Sequence, residues 1–171
     1  MLVEAFVPLG REVRCGIVVE GGELRLLPLE EYRLDPVTTP VRTSADKLKR
    51  DDDQSLAFAA KDATRSWIVA LDDPAVPAVW EAARLCHTAL GCTQYSLFDF
   101  RIDPQGRAWF LEAGLYCSFS LKSVLVAMMA AAGTPLSLFF STAAHAAIQA
   151  HARSPLTNAS VNASIAHPPN P

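Results

Sequence analysis

The sequence predicts an α+β fold, with helices packed on an antiparallel sheet. Three observations lead there. Short stretches of alternating or β-rich residues are joined by glycine-containing turns. Amphipathic stretches of helical length stand between and after them. The 171 residues, half of them hydrophobic and 19% charged, suit one domain able to bury a core.

The elements follow in chain order. Residues 2–8 and 12–20 read as strands. Gly21-Gly22 between "VRCGIVVE" and "ELRLLPL" is a hairpin signal. Residues 31–65 mix proline, threonine and charge, and predict a long irregular excursion of the kind that is functional or disordered. Helical spacing covers about 75–90, where Val79, Ala82, Ala83, Cys86 and Leu90 can share a face and Gly91 is a stop. "FDFRIDPQGRAWFLEAG" (98–114) reads as a second hairpin, turning at Asp103-Pro104-Gln105-Gly106. Helices are predicted near 121–132 and 136–152, with Pro135 suited to a first turn. Residues 153–171, rich in Pro, Asn, Ser and Ala, predict a disordered tail after a domain at 1–152. Its two Asn-Ala-Ser sequons, at Asn158 and Asn162, read as chance matches.

Composition narrows the function. A net charge of −3 and the lack of a basic block beyond "DKLKR" argue against nucleic-acid binding. No basic leader opens the chain, and Gly133-Thr134-Pro135 breaks the most apolar stretch, so neither a signal peptide nor a membrane span is expected. Cys15, Cys86, Cys92 and Cys117 lack metal-ligand spacing, and suit a reduced cytoplasmic protein.

The chemistry concentrates in the second hairpin. Asp99 and Glu112 lie among Phe98, Phe100, Trp109, Phe110 and Leu111. If residues 103 and 106 close a four-residue turn, Asp99 faces Phe110 and Glu112 is diagonal to it, with Cβ atoms roughly 7–8 Å apart. Two such carboxylates can hold one hard cation. A bulge at Gly106 would instead slip the register by one and take the two acids off a shared face.

The wider pattern is more specific. "VEAFVPLGREVRCGIVV" (3–19), "DKL" (46–48), "ALGCTQYSLFDFRIDPQGRAWFLEAG" (89–114) and "KSVLVAMMAAAGTPL" (122–136) follow in an order that resembles the C-terminal part of the ATP-grasp ligases, most closely the D-alanine–D-alanine ligases. The resemblance spans about residues 2–140. It implies an ATP-grasp C-terminal subdomain, a partial fold, from an ATP- and Mg²⁺-dependent carboxylate–amine ligase, with Mn²⁺ as an alternative ion. In such a ligase a carboxylate takes the γ-phosphoryl of ATP, and an amine displaces phosphate from the acyl phosphate to form an amide. Glu4 is then expected at the adenine amino group, Phe6 and Val7 along the adenine, and Leu111 beneath it. Glu12 is expected on the ribose hydroxyls and Lys47 on the phosphates. Asp99 and Glu112 are the expected metal ligands, and Ser118 and Ser123 the substrate contacts.

Three departures qualify the resemblance. Gly114 stands where the family has an asparagine that ligates a second ion, and Leu97 stands where it has an arginine. Arg101, on the same strand face as Asp99, is the candidate replacement for that arginine. The chain also lacks the family's glycine-rich phosphate loop, so it would form one wall of a nucleotide cleft. The expected partners are an amino acid and the missing N-terminal ligase part, on the same or a separate chain; a homodimer is compatible. The alternative is a non-catalytic binding domain derived from such a ligase.

Overall fold

The computed structural model describes residues 3, 5–8, 10–35, 37–38, 40–41, 48–50, 56–58, 65–114, 117–121 and 123–152, with backbone only at 48–50 and 56–58. The predicted tail, its sequons, Glu4 and Lys47 lie outside the described residues.

Among the described residues, eight strands and three helices form the α+β architecture expected. In chain order they are β1 (Arg11–Glu20), β2 (Glu23–Leu26), β3 (Glu30–Tyr32), β4 (Leu48–Arg50), β5 (Leu56–Phe58), β6 (Ser66–Ile68), α1 (Val76–Ala89), β7 (Tyr95–Ile102), β8 (Ala108–Ala113), α2 (Val124–Ala131) and α3 (Leu136–Ala152). The main sheet runs β6-β3-β1-β7-β8, with β2 also paired to β1, and every pairing in it is antiparallel. β4 and β5 form a separate two-stranded sheet.

Gly21 and Gly22, both at positive φ (61° and 91°), make the tight turn between β1 and β2. The expected strand at 2–8 is not formed among its described residues. That arm is mostly exposed, and Pro8 has no N–H for a ladder. Among its described residues, the expected excursion at 31–65 contains β4 and β5 and is bracketed by strands. Glu30–Tyr32 pairs with the first half of β1, and Ser66–Ile68 extends the sheet beyond it. Three-residue strands are too short to show a period, and pairing with β1 stabilises them.

The two sheet faces differ. Val13, Cys15, Ile17, Phe98, Phe100 and Ile102 point to one face and pack under α1, where Val76, Val79 and Ala83 are buried. His87 is buried on α1 in place of the expected Leu90, which is half exposed. The other face carries α2 and α3 over one end only, where Val18, Leu27, Leu97, Leu125, Met128 and Phe139 meet. Its other end is polar.

Gly16 sits where α2 crosses β1. A Cβ there would come within 2.8 Å of Leu125 Cδ1 and 3.0 Å of both Leu27 Cδ1 and Met128 Sδ. Gly16→Ala is therefore expected to cost ~1–3 kcal/mol by overpacking, read as a lower thermal midpoint with an unchanged circular dichroism spectrum.

Candidate functional site

The β7–β8 hairpin is held by one side chain. Asp103 accepts hydrogen bonds from the Gln105 and Arg107 amides (3.0 and 2.9 Å), from Arg107 Nε (2.9 Å) and from Trp109 Nε1 (2.9 Å). These donors, Trp109 first, hold its carboxyl down at about 2. The turn closes by Asp103 N–H donating to Arg107 O, with Gly106 at φ 82°, and so spans five residues rather than four.

Two register slips follow. The first, at Gly106, pairs Ile102 with Ala108, Arg101 with Trp109 and Phe100 with Phe110. That slip alone would put Asp99 opposite Leu111 and separate the acids. A second slip leaves Leu111 as an extra, unpaired residue, and Asp99 then pairs with Glu112. The diagonal arrangement expected for the acids is thus corrected to a directly opposed pair. Such residues share a face, with Cβ atoms about 4.5–5.5 Å apart.

Around this pair lies a row of charges from neighbouring strands. Arg14 of β1 is opposite Asp99 of β7, and its Nε and Nη2 donate to both carboxylate oxygens (2.6 and 3.1 Å). The Arg14 guanidinium also lies 5.1 Å from the centre of the Tyr32 ring, and the Tyr32 hydroxyl donates to Glu30 (2.6 Å). Burial pushes the Asp99 carboxyl up; Arg14 opposes this, while the charge of Glu112 and a hydrogen bond with it add to the rise.

Two residues along each strand, Glu12 is opposite Arg101. They form a buried ion pair, Nη2 to Oε2 at 2.8 Å, with side chains 5% and 8% exposed. Arg101 also donates to the carbonyls of Val7 (3.2 Å) and Pro40 (3.0 Å) and lies 5.7 Å from the centre of the Phe6 ring. Its Nε is a buried donor without a partner among the described residues. The structure therefore brings Phe6, Val7, Glu12 and Arg101 together in one group, and Asp99 with Glu112 in the next. Strand spacing puts the groups roughly 7 Å apart.

The remaining candidates are more dispersed. Leu111 is the bulged residue of β8, 38% exposed. Ser118 is exposed, and its hydroxyl accepts from the Ser120 amide (3.0 Å). Ser123 is the N-cap of α2, accepting from the Val126 amide at 3.4 Å. His87 shares a 2.7 Å hydrogen bond with Ser96, which occupies its Nδ1.

Sequence reasoning missed Arg14. The signal was present, since in "GREVRCG" Arg14 is two residues after Glu12 and must share its strand face. The two departures, Leu97 and Gly114, are also neighbours in space. The Gly114 amide donates to Leu97 O (2.7 Å), and Leu97 belongs to the apolar cluster under α2.

The described carboxylates could anchor at most one hard cation, since Asp99 is already bonded to Arg14. Asp99 and Glu112 oppose each other, Gly114 adds no side-chain oxygen, and no group of three or more Asp, Glu, His or Cys suited to a metal occurs among the described residues.

No protein-family model matches the chain. Its fold, however, is that of part of the D-alanine–D-alanine ligases, a partial ATP-grasp fold. The ligase of Bacillus anthracis superposes with a TM-score of 0.59 at 18% identity, over 82% of this chain and 40% of the ligase. The same enzyme complexed with ATP gives 0.58 at 18%, over the same shares. The VanG D-Ala:D-Ser ligase of Enterococcus faecalis gives 0.57 at 24%, over 80% of this chain and 36% of that one. The chain thus spans about two-fifths of the length of these enzymes. Among the described residues no single helix is long and apolar enough to cross a membrane; α2 and α3 pass that test only as a pair bent by 113°.

Proposed function

We propose that this chain is the nucleotide-facing part of an ATP-dependent carboxylate–amine ligase, which forms an amide through an acyl phosphate. The observation that carries the reading is the direct opposition of Asp99 and Glu112 on the polar sheet face, one row from the buried Glu12–Arg101 pair. Carboxylates gathered on one face suit a cation and sugar hydroxyls, and a fold shared with ligases supplies the reaction class.

In this reading Phe6 and Val7 line the adenine together with Glu4, and Leu111 closes its lower side. Glu12 accepts from the ribose hydroxyls. Arg101 positions Glu12, and its buried Nε–H is a further donor toward the nucleotide or the transferring group. Lys47 meets the phosphates. Ser123 caps the start of α2, where helix N–H groups favour a substrate carboxylate, and Ser118 offers its hydroxyl from the loop before it. Asp99 and Glu112 hold Mg²⁺ or Mn²⁺, which supplies neutralisation of phosphate charge. The protein itself has little covalent work to do: it orients two anionic reactants and excludes water. The rest of the ligase, in the same protein or a partner chain, supplies the second cleft wall. The acceptor is an amine, with an amino acid as the expected class, and the four free cysteines suit a reducing cytoplasm.

Isothermal titration with ATP, with and without Mg²⁺, tests this. Mg²⁺-dependent binding is expected, weakened at least tenfold in Glu112→Ala. Binding that ignores both the metal and Glu112 would sink the reading.

A second reading, a ligase-derived domain that binds without catalysis, is favoured by one observation. Leu97 and Gly114 lie side by side, so the hydrophobic cluster extends to the metal-facing pair. Mg-ATP binding without phosphate release, when the full-length product is offered a panel of amino acids, would support it.

A further inference from the structure

The Arg14–Asp99 pair differs from a surface ion pair. Arg14 is on β1 and Asp99 on β7, each opposite the other in register, so the sheet itself brings them together. Their side chains are 13% and 11% exposed, and both Asp99 oxygens are used by Nε and Nη2. Tyr32 packs against the guanidinium from β3. A guanidinium keeps its charge at any working pH and matches a carboxylate with two parallel bonds. The adjacent Arg101 is engaged with Glu12, which leaves Arg14 as the described cation nearest the Asp99–Glu112 pair.

Mg²⁺ needs near-octahedral oxygen contacts at about 2.0–2.1 Å and gives up its waters reluctantly. Arg14 already donates one hydrogen bond to each Asp99 oxygen, so an ion there must use the remaining lone pairs beside a fixed positive charge, or displace it. Like charges also repel strongly where water is scarce.

We propose that Arg14 is the built-in competitor of the divalent ion at this site, holding Asp99 and weakening its grip on the metal. A divalent ion then meets Asp99 beside that fixed positive charge or displaces it. Glu112 remains its anchor, and the wild-type chain binds it weakly. The proposal rests on the reading of Asp99 and Glu112 as the metal-facing pair, and it identifies which residue controls that pair.

The test is Mn²⁺ binding to the full 171-residue chain without nucleotide, followed by loss of the free-ion electron paramagnetic resonance signal. Arg14→Gln is expected to bind Mn²⁺ at least tenfold more tightly than wild type, and adding Glu112→Gln is expected to abolish the gain. Arg14→Lys, which keeps the charge but loses the fork, is expected to fall between. If circular dichroism shows that Arg14→Gln does not fold, the comparison of Arg14→Lys with wild type decides. Equal or weaker binding in the Arg14 variant overturns the proposal. If binding is equal and Glu112→Gln removes it from both proteins, the metal-facing reading survives and only the role of Arg14 falls. If neither protein binds Mn²⁺ at millimolar concentration, both fall.

Discussion

Asp99→Ala is expected to destabilise the chain by ~3 kcal/mol, because it strands the Arg14 guanidinium in a mostly buried place. Breaking a buried pair from one side costs far more than the pair contributes as a whole, since the remaining charge has lost both water and partner. For a chain of this size the loss corresponds to a drop of roughly 6–12 °C in the thermal midpoint. Removing both charges should cost much less. Arg14→Met/Asp99→Leu is expected to lie within ~1 kcal/mol of wild type, since apolar residues can replace a buried pair near neutrality. The double-mutant cycle then gives a coupling of a few kcal/mol, measured by urea unfolding. An Asp99→Ala variant that melts like wild type would mean that Arg14 and Asp99 are not joined. The Arg14→Met/Asp99→Leu variant also separates stability from function: it should fold yet lose any metal-dependent nucleotide response.

Much of this site was legible in the sequence, for local reasons. Asp103, Gly106 and the alternation around them announce a hairpin within a short span. The helix at 76–89 follows from spacing that its segment carries by itself, and Pro135 marks the start of the one at 136–152. What could not be read depends on distant partners. Tyr32 and Glu30 become strand residues only because β1 offers them a ladder. The arm at 5–8 has strand-like residues but pairs with no strand among the described residues, and Arg101 holds it through the Val7 carbonyl instead. The pairing of the two acids turned on two bulges, one marked by a glycine and one, at Leu111, marked by nothing. Nothing local distinguishes Leu111 from Phe110 or Trp109 as the residue to be skipped; the packing of Phe110 beside Phe98 and Phe100 does. Arg14 was visible as a face-sharing neighbour of Glu12, but its partner is 85 residues away.

That dependence on register makes Phe98→Ala the other large prediction. Phe98 of β7 is fully buried under α1, with ring centres 6.4 Å from Phe100 and 6.2 Å from Phe110. Truncation should cost ~3–5 kcal/mol, the sum of lost transfer energy and the cavity left in a sheet that cannot collapse. The expected fall in midpoint is roughly 6–20 °C. Phe110, on the edge strand and 47% exposed, is the matched control, and Phe110→Ala should cost ~1 kcal/mol. The comparison bears on the site because side chains alternate along β7. If Phe98 points to α1, Asp99 must point to the opposite face, toward Arg14 and Glu112. A slip of one residue would exchange the two faces and put Asp99 under α1. Near-equal midpoints for wild type and Phe98→Ala, with a large loss in Asp99→Leu, would indicate that exchanged arrangement and remove the charged row on which the proposed nucleotide site depends. The expected order is the reverse: Phe98→Ala loses the most, Phe110→Ala the least. The Mg²⁺-dependent ATP response of each variant should then track only its folded fraction, because both rings pack with Phe100, away from the face that carries the acids.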